Sequence, residues 1–543
     1  MVEALFRIPK PENEPVLSYA PGTKERAELK KKIEELRSKE IEIPLIIGGK
    51  EVRTGRTGEC RCPHDHAHLI GRYHQAGEDE IAQAIDSALE VRERWAAMEW
   101  YQRASIFLKA ADLLSGPYRQ ILNAAAMLCQ SKNVFQAEID AVCELIDFWR
   151  FNAYYMQEIY EQQPESAKGM WNRIQHRPLE GFVFAVTPFN FTSIGGNLPT
   201  APALMGNVAV WKPASSAVYS NYFVMEVLRS AGLPGGVINF VPGPGSKVGP
   251  IALRHPALAG VHFTGSTSTF QEMWRTIGQH IASYRSYPRI VGETGGKDFV
   301  FVHSSADIEE VVVGLIRGAF EYQGQKCSAA SRAYIPSSMW PKLKHRLLDE
   351  IARIKMGGVE DFTNLMNAVI DRAAYDNIVR YIEHAKKAED AEVIAGGGYD
   401  DSKGYFIEPT VILTTNPQFR TMQEEIFGPV LTVYVYADEK YEETLRLCDT
   451  TSPYGLTGAI FAKDRYAIAE GERALVNSAG NFYINDKPTG AVVNQQPFGG
   501  ARASGTNDKA GSILNLLRWV SQRTLKETFV PPKDWRYPFM GEK

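Results

Sequence analysis

Phe182-Val183-Phe184-Ala185-Val186, read together with Val208-Ala209-Val210-Trp211, Val237-Ile238-Asn239-Phe240-Val241 and Val261-His262-Phe263, decides the fold class of this chain. These short apolar runs alternate with helical patterns, one of them over residues 220–231, and such alternation predicts a parallel sheet covered by helices. The pattern recurs at Phe299-Val300-Phe301-Val302 and Leu431-Thr432-Val433-Tyr434-Val435, with helices predicted over 308–322 and 340–354. Two α/β units are therefore expected. Upstream, a charged helix over 24–40 precedes a strand hairpin over 43–52, turned at Gly48-Gly49. Apolar residues at helical spacing over 78–94, 103–122 and about 134–160 predict a helical layer, and 162–180 interrupts it as an excursion or hairpin.

A chain of 543 residues exceeds one ordinary core, so two or three domains are expected. Sixty Lys+Arg against 64 Asp+Glu leave a formal charge of -4, with no basic block that advertises nucleic acid or an anionic membrane; small molecules are the expected partners. No apolar run reaches the length of a membrane span. Six scattered cysteines make no disulfide framework and point to a reducing compartment. The first residues lack both a signal-peptide apolar stretch and an acid-poor, Arg-rich leader, which predicts a cytoplasmic protein, or a mitochondrial matrix one if a presequence has been removed.

Gln323-Gly324-Gln325-Lys326-Cys327-Ser328-Ala329-Ala330-Ser331-Arg332 sets one cysteine among residues that leave its sulfur room and access. Taken alone, Cys327 is more often a small buried apolar residue. Gly292-Glu293-Thr294-Gly295-Gly296-Lys297 holds a carboxylate in a glycine-rich turn, where a solvated surface acid is the even alternative. Cysteine and glutamate together suggest covalent acyl chemistry. Gly243, Gly245 and Gly249 follow a predicted strand but depart by one residue from G-x-G-x-x-G. Phe263-Thr264-Gly265-Ser266-Thr267-Ser268 follows the next strand, and its free amides and hydroxyls suit a phosphate. Lys212 stands directly after a strand, where it reaches a ribose or phosphate unless it is an ordinary surface lysine. Cys60-Arg61-Cys62-Pro63-His64-Asp65-His66-Ala67-His68 offers zinc-ligand types, but the spacing is wrong and one extended strand cannot wrap an ion, so no metal is expected. Cys129, Cys143 and Cys448 lie in apolar helical stretches and read as core.

Thr187-Pro188-Phe189-Asn190-Phe191, Trp211-Lys212-Pro213-Ala214, Phe263-Thr264-Gly265-Ser266, Gly292-Glu293-Thr294-Gly295-Gly296-Lys297, Gly324-Gln325-Lys326-Cys327 and Glu424-Glu425-Ile426-Phe427-Gly428-Pro429-Val430 together resemble the aldehyde dehydrogenase superfamily over nearly the whole chain. The finer resemblance, carried by residues 136–148 and 495–508, is to the glutamate semialdehyde dehydrogenases. It implies a Rossmann-type NAD-binding domain (41–161 and 181–290), an α/β catalytic domain (291–488), an N-terminal arm (1–40) and an oligomerisation flap (162–180 and 508–543) that makes a homodimer. It also implies that Cys327 attacks the aldehyde as thiolate. Because a free thiol has a pKa of about 8.5, an electropositive pocket is expected to favour ionisation. The Asn190 amide and the Cys327 backbone N–H would hold the oxyanion, and Glu293 would activate the water that hydrolyses the thioester.

For the cofactor, the resemblance implies Thr187, Lys212, Ser215, Gly265, Ser266, Thr267 and Glu425, with Phe427 near the nicotinamide ribose. Ser215 stands where many NAD-specific members have a glutamate, so NAD with some NADP use is expected. For the substrate, L-glutamate γ-semialdehyde, it implies Ser328, Gly490 and Ala491 as carboxylate anchor, Phe191 and Phe498 flanking the aliphatic part, and Glu144 near the site. Ala491 replaces a serine frequent in relatives and leaves only its backbone N–H. The rivals are a CoA-acylating or other semialdehyde dehydrogenase, against which Glu293 argues, and a DNA-binding proline-utilisation protein, for whose extra domains 543 residues leave no space.

Overall fold

A computed structural model describes residues 4–541. The first sheet contains β1 (Leu45–Ile47), β2 (Lys50–Val52), β3 (Phe182–Val186), β4 (Val208–Lys212), β5 (Ile238–Phe240), β6 (Leu258–Thr264) and β7 (Arg289–Glu293), in the order β7-β6-β3-β4-β5-β1-β2. From β7 to β5 every pairing is parallel, and the β1–β2 hairpin adds an antiparallel edge. Its turn needs left-handed backbone at both Gly48 and Gly49, with φ of 60° and 80°, which explains the glycine pair. After β5 the chain returns to lay β6 on the other side of β3. At such a reversal the loops leaving β3 and β6 diverge and open a crevice at the carboxyl edge of the sheet.

The second sheet contains β8 (Asp298–Val302), β9 (Ala330–Pro336), β10 (Ala391–Ala395), β11 (Thr410–Thr414), β12 (Val430–Tyr436), β13 (Thr457–Phe461) and β14 (Asn481–Ile484), in the order β10-β11-β12-β9-β8-β13-β14. Only β10 runs antiparallel. Along β8, Phe299 and Phe301 enter one core while Val300 and Val302 enter another on the opposite face, the period-two consequence of a strand covered on both sides. Residues 294–297 join β7 to β8, so the carboxyl edge of the first sheet meets the amino edge of the second. The join is tight: a Cβ on Gly296 would stand 2.1 Å from the Cys327 carbonyl oxygen.

Several elements depart from their predicted bounds. The helix expected over 103–122 is two helices, Trp100–Ser115 and Arg119–Gln130, because Gly116 ends the first and Pro117 has no N–H to continue it. The long helix expected from 134 is continuous but widens into a π-helical stretch at Glu138–Cys143 before Glu144–Glu161. The helix expected over 308–322 stops at Phe320, since Tyr322 and Gln323 are left-handed. Residues 162–180 hold no hairpin: Met170–Arg177 is a single strand whose partner is Ser521–Thr528, so this two-stranded ribbon is closed by distant segments. Leu516, Trp519 and Val520, just before it, are buried in the core of the first sheet.

Candidate active site

A cleft of about 930 Å³ opens where the two sheets meet, at the carboxyl ends of β3, β4 and β6. Of the residues singled out in the sequence it gathers Thr187, Asn190, Lys212, Gly265, Ser266, Cys327, Glu425 and Phe427 on its walls. Ser215 and Thr267 do not line it. Ser215 starts a short 3₁₀ turn beyond Lys212, and the Thr267 hydroxyl donates to Tyr454 Oη at 3.5 Å.

The nucleotide half is built from strand ends and helix starts. Lys212 is the last residue of β4, and burial pushes its ammonium down to about 8 with only the Pro213 carbonyl, 3.1 Å away, as acceptor among the described residues. A cation so poorly solvated gains from ribose hydroxyl or phosphate oxygens. Two helices begin at the cleft, Gly245–Arg254 and Thr267–Gln279, the latter capped by Ser266, whose Oγ accepts from the Thr269 N–H at 3.3 Å. Helix starts present free N–H groups to an anion. A Cβ on Gly245 or Gly249 would occupy open cleft space rather than strike backbone. These donors fit a dinucleotide. Thr187 is fixed by the Trp211 indole N–H, which donates to its Oγ1 at 3.0 Å. Glu425 accepts from the Gly296 N–H at 2.9 Å, and burial lifts its carboxyl to about 7. Gly295 leaves room for that carboxylate, which a Cβ there would displace.

The nucleophile sits on a backbone held in an uncommon shape. Tyr322, Gln323 and Gly324 have φ of 49°, 55° and 65° in succession, and only the last is glycine. Left-handed non-glycine residues persist where surrounding contacts over-determine them. Here the Gln323 amide donates to the carbonyls of Ser131 (3.1 Å) and Ala368 (2.8 Å), and Gln325 Oε1 accepts from the Ile370 N–H at 2.9 Å. Asn190 Nδ2 donates to the Gln325 carbonyl at 3.0 Å, which holds this amide on the cleft wall that Cys327 also lines.

The expected electropositive pocket is absent around the sulfur. Burial holds the Cys327 thiol well above its ordinary range, and the nearby carboxyls of Asp298, Glu425 and Glu293 push the same way. The resting nucleophile is therefore a neutral thiol. Glu293, the last residue of β7, is turned from the cleft, its Oε2 accepting from the Gly500 N–H at 2.8 Å. Its carboxyl is also held above the usual range, chiefly by desolvation.

The remaining predicted residues lie beyond Cys327, outside this cleft. Ser328 is buried with its Oγ 2.8 Å from Thr489 Oγ1, which brings it beside Gly490 and Ala491. Glu144 meets the Ser193 hydroxyl at 2.5 Å and is lifted to about 8, chiefly by burial and then by Asp140. Phe498 pairs its backbone with Ala510. A buried charge cluster that the sequence did not suggest connects them. Lys132 bonds Asp140 at 2.8 Å beneath the rings of Phe191 and Tyr322, Lys326 lies 3.5 Å from Glu321, and Lys487 lies 3.3 Å from Glu321 and next to Gly490. Its members come from separate elements, so no spacing revealed them. Lys297 was visible inside its glycine motif: its buried amine has no hydrogen-bond partner among the described residues and falls to about 7 through burial and Arg332.

Cys60 to His68 form not one strand but a hairpin, Thr57–Cys62 and Asp65–His74. The His66 and His68 rings bond the carbonyls of Asp401 and Arg37, each at 2.8 Å. Cys129, Cys143 and Cys448 are buried free thiols.

The model of the aldehyde dehydrogenase family matches residues 51–524. The chain is 54% identical over 540 residues to the mitochondrial delta-1-pyrroline-5-carboxylate dehydrogenase of Dictyostelium discoideum, covering 99% of this chain and 97% of that one. It is 50% identical over 529 residues to the mitochondrial enzyme of that name from Homo sapiens, covering 97% and 94%. The crystal structure of the delta-pyrroline-5-carboxylate dehydrogenase of Mycobacterium tuberculosis bound with NAD superposes with a TM-score of 0.97 at 52% identity, covering all of both chains.

Proposed function

The chain belongs to the aldehyde dehydrogenase family, and on that premise we propose how its own residues carry out the oxidation of L-glutamate γ-semialdehyde, formed from 1-pyrroline-5-carboxylate, to L-glutamate with NAD. The observation that carries this reading is identity of 50 to 54% along nearly the full chain with delta-1-pyrroline-5-carboxylate dehydrogenases. Bound NAD supplies the hydride acceptor.

Thr187, Lys212, Ser266 and Glu425 hold the nucleotide along the cleft, and Phe427 packs near its reactive end. Cys327 passes its proton to solvent water and attacks the aldehyde carbon as thiolate. The Asn190 amide and the Cys327 backbone N–H steady the negative oxygen of the thiohemiacetal, donors set in place before charge develops. Loss of hydride leaves a thioester. Glu293 then swings from Gly500, takes a proton from water, and the acyl group leaves as carboxylate while sulfur recovers its proton. A water base at this position favours hydrolysis over transfer to CoA.

Ser328 with the Gly490 and Ala491 N–H groups anchors the α-carboxylate, Phe191 and Phe498 flank the chain, and Glu144 faces the amino-acid end. The comparison that tests this sets kcat/KM for pyrroline-5-carboxylate against that for propanal. The natural substrate should win by orders of magnitude, and a preference for propanal would overturn the reading. Ser328→Ala should raise KM for glutamate semialdehyde about tenfold, the worth of a charge-assisted hydrogen bond, and leave KM for propanal unchanged. Equal effects on both would remove Ser328 from the anchor.

The ribbon supports a homodimer. Two strands alone are marginal in water, yet Met170–Arg177 and Ser521–Thr528 pair with no other strand among the described residues. Trp171, Phe529, Trp535 and Phe539 around it are at least half exposed. A second copy covers such a surface most simply. Ending the chain at Val520 should convert a dimer to monomer in sedimentation, and a persistent dimer would exclude the ribbon. Six free thiols suit a reducing compartment, and the relatives' naming favours the mitochondrial matrix over the cytoplasm.

A further inference from the structure

Residues 4–23 have no regular secondary structure, yet they are fastened to the molecule by side chains rather than left loose. Glu14 forms ion pairs with Arg119 and Arg150, both at 2.6 Å, and its N–H donates to Asp147 Oδ1 at 2.7 Å. Leu17 N–H donates to Glu138 at 3.0 Å. These contacts hold the arm on the helix Glu144–Glu161 and its neighbours. One residue of the arm does more. Asn13 Nδ2 donates to Asp147 Oδ2 at 2.8 Å and to the Val493 carbonyl at 2.9 Å, and Asn13 Oδ1 accepts from Gln495 Nε2 at 3.0 Å.

Those three bonds join two elements that the chain itself does not join. Asp147 stands one helical turn after Glu144. Val493 and Gln495 belong to the loop 489–498, whose inner end is tied to Ser328 through Thr489 and whose next residues are Gly490 and Ala491. The loop is open on its outer side, where Gly490 has φ of 92° and Val492, Asn494, Gln495 and Gln496 are exposed, and is otherwise held by buried Val493 and by the Asn494 N–H, which donates to the Gly511 carbonyl at 3.4 Å. Its other tie to the same helix is Tyr155, whose hydroxyl donates to Asn494 Oδ1 at 2.8 Å.

We propose that Asn13 is a positioning residue for substrate recognition, the N-terminal arm acting as a strap that sets the distance between the Glu144 helix and the carboxylate-anchoring loop. The inference rests on the assignment of Gly490 and Ala491 to the carboxylate. It adds that the far end of the pocket is held by a segment more than 300 residues away in sequence. A small aldehyde makes no use of that end, so the strap matters only to a substrate long enough to reach it.

The test compares the full-length wild type with Asn13→Ala, Gln495→Ala and Ser328→Ala, measuring kcat and KM for pyrroline-5-carboxylate, propanal and NAD, with thermal melting to check folding. Asn13→Ala should raise KM for pyrroline-5-carboxylate about tenfold, as expected from loss of the two hydrogen bonds to the loop, with kcat and the KM values for propanal and NAD unchanged. Gln495→Ala, which cuts the tie from the loop side and leaves the arm docked, should move the same KM by less. A general loosening of the fold would instead move all three KM values or kcat, and that result overturns the proposal. So does an unchanged KM in Asn13→Ala while Ser328→Ala raises it, which leaves the anchor assignment standing. If neither variant shifts the ratio between the two aldehydes, the anchor assignment falls and takes the strap with it.

Discussion

Cys327→Ala should reduce NADH formation from pyrroline-5-carboxylate by on the order of 10⁴-fold or more, the usual consequence of removing a covalent nucleophile. The expectation follows from place as much as from type. All six cysteines are buried, but Cys327 alone lines the cleft beside Asn190 and Glu425. Stability should change little, because the substitution removes only one sulfur atom from a site that already opens on a cleft. NAD binding, followed by quenching of protein fluorescence, should survive, since the nucleotide donors sit on β3, β4 and β6 and on two helix starts. A variant that keeps turnover would reassign the nucleophile. One that loses both turnover and NAD binding would show instead that the sulfur props up the cleft.

That cleft was legible in outline before any coordinates, and the reason is local. Strands buried on both faces betray themselves by composition, and the residues that follow β3, β4 and β6 are contiguous motifs, so Thr187, Lys212 and Gly265 reach one crevice as soon as the sheet reverses direction. What stayed hidden depends on contacts between distant segments. The ribbon pairs residue 170 with residue 528, and no pattern within either strand names its partner. Lys132 and Asp140, Lys326 and Glu321, and Glu321 and Lys487 pair only because separate segments converge near Cys327. The polarity at the sulfur was misjudged for a related reason. Lys326 is adjacent in sequence, but the folded chain turns it toward Glu321 and Asp140, while carboxyls from β7, β8 and the loop before β12 stand near the thiol. Only the helix break at Gly116-Pro117 was legible and overlooked.

Glu293→Gln should separate the two halves of the reaction. With the carboxyl gone, Cys327 still attacks and hydride still leaves, so each active site should release close to one NADH in a rapid phase; the thioester then persists and steady turnover falls by about 10²- to 10⁴-fold, the range for loss of a general base. Mass spectrometry should find the acyl group on Cys327. The pH dependence has a definite sign. Burial raises the Glu293 carboxyl above the ordinary range, so the basic carboxylate form grows as pH rises through the raised pKa. Deacylation in the wild type should therefore speed up with increasing pH, and the variant should lose that rise while its rapid phase stays. The same limb must be distinguished from ionisation of Cys327, which is also raised and also favours attack at higher pH. The rapid phase reports the thiol and the steady phase reports the carboxyl, so measuring both across pH assigns each. Were Glu293→Gln to abolish the rapid phase as well, Glu293 would be the acceptor of the Cys327 proton.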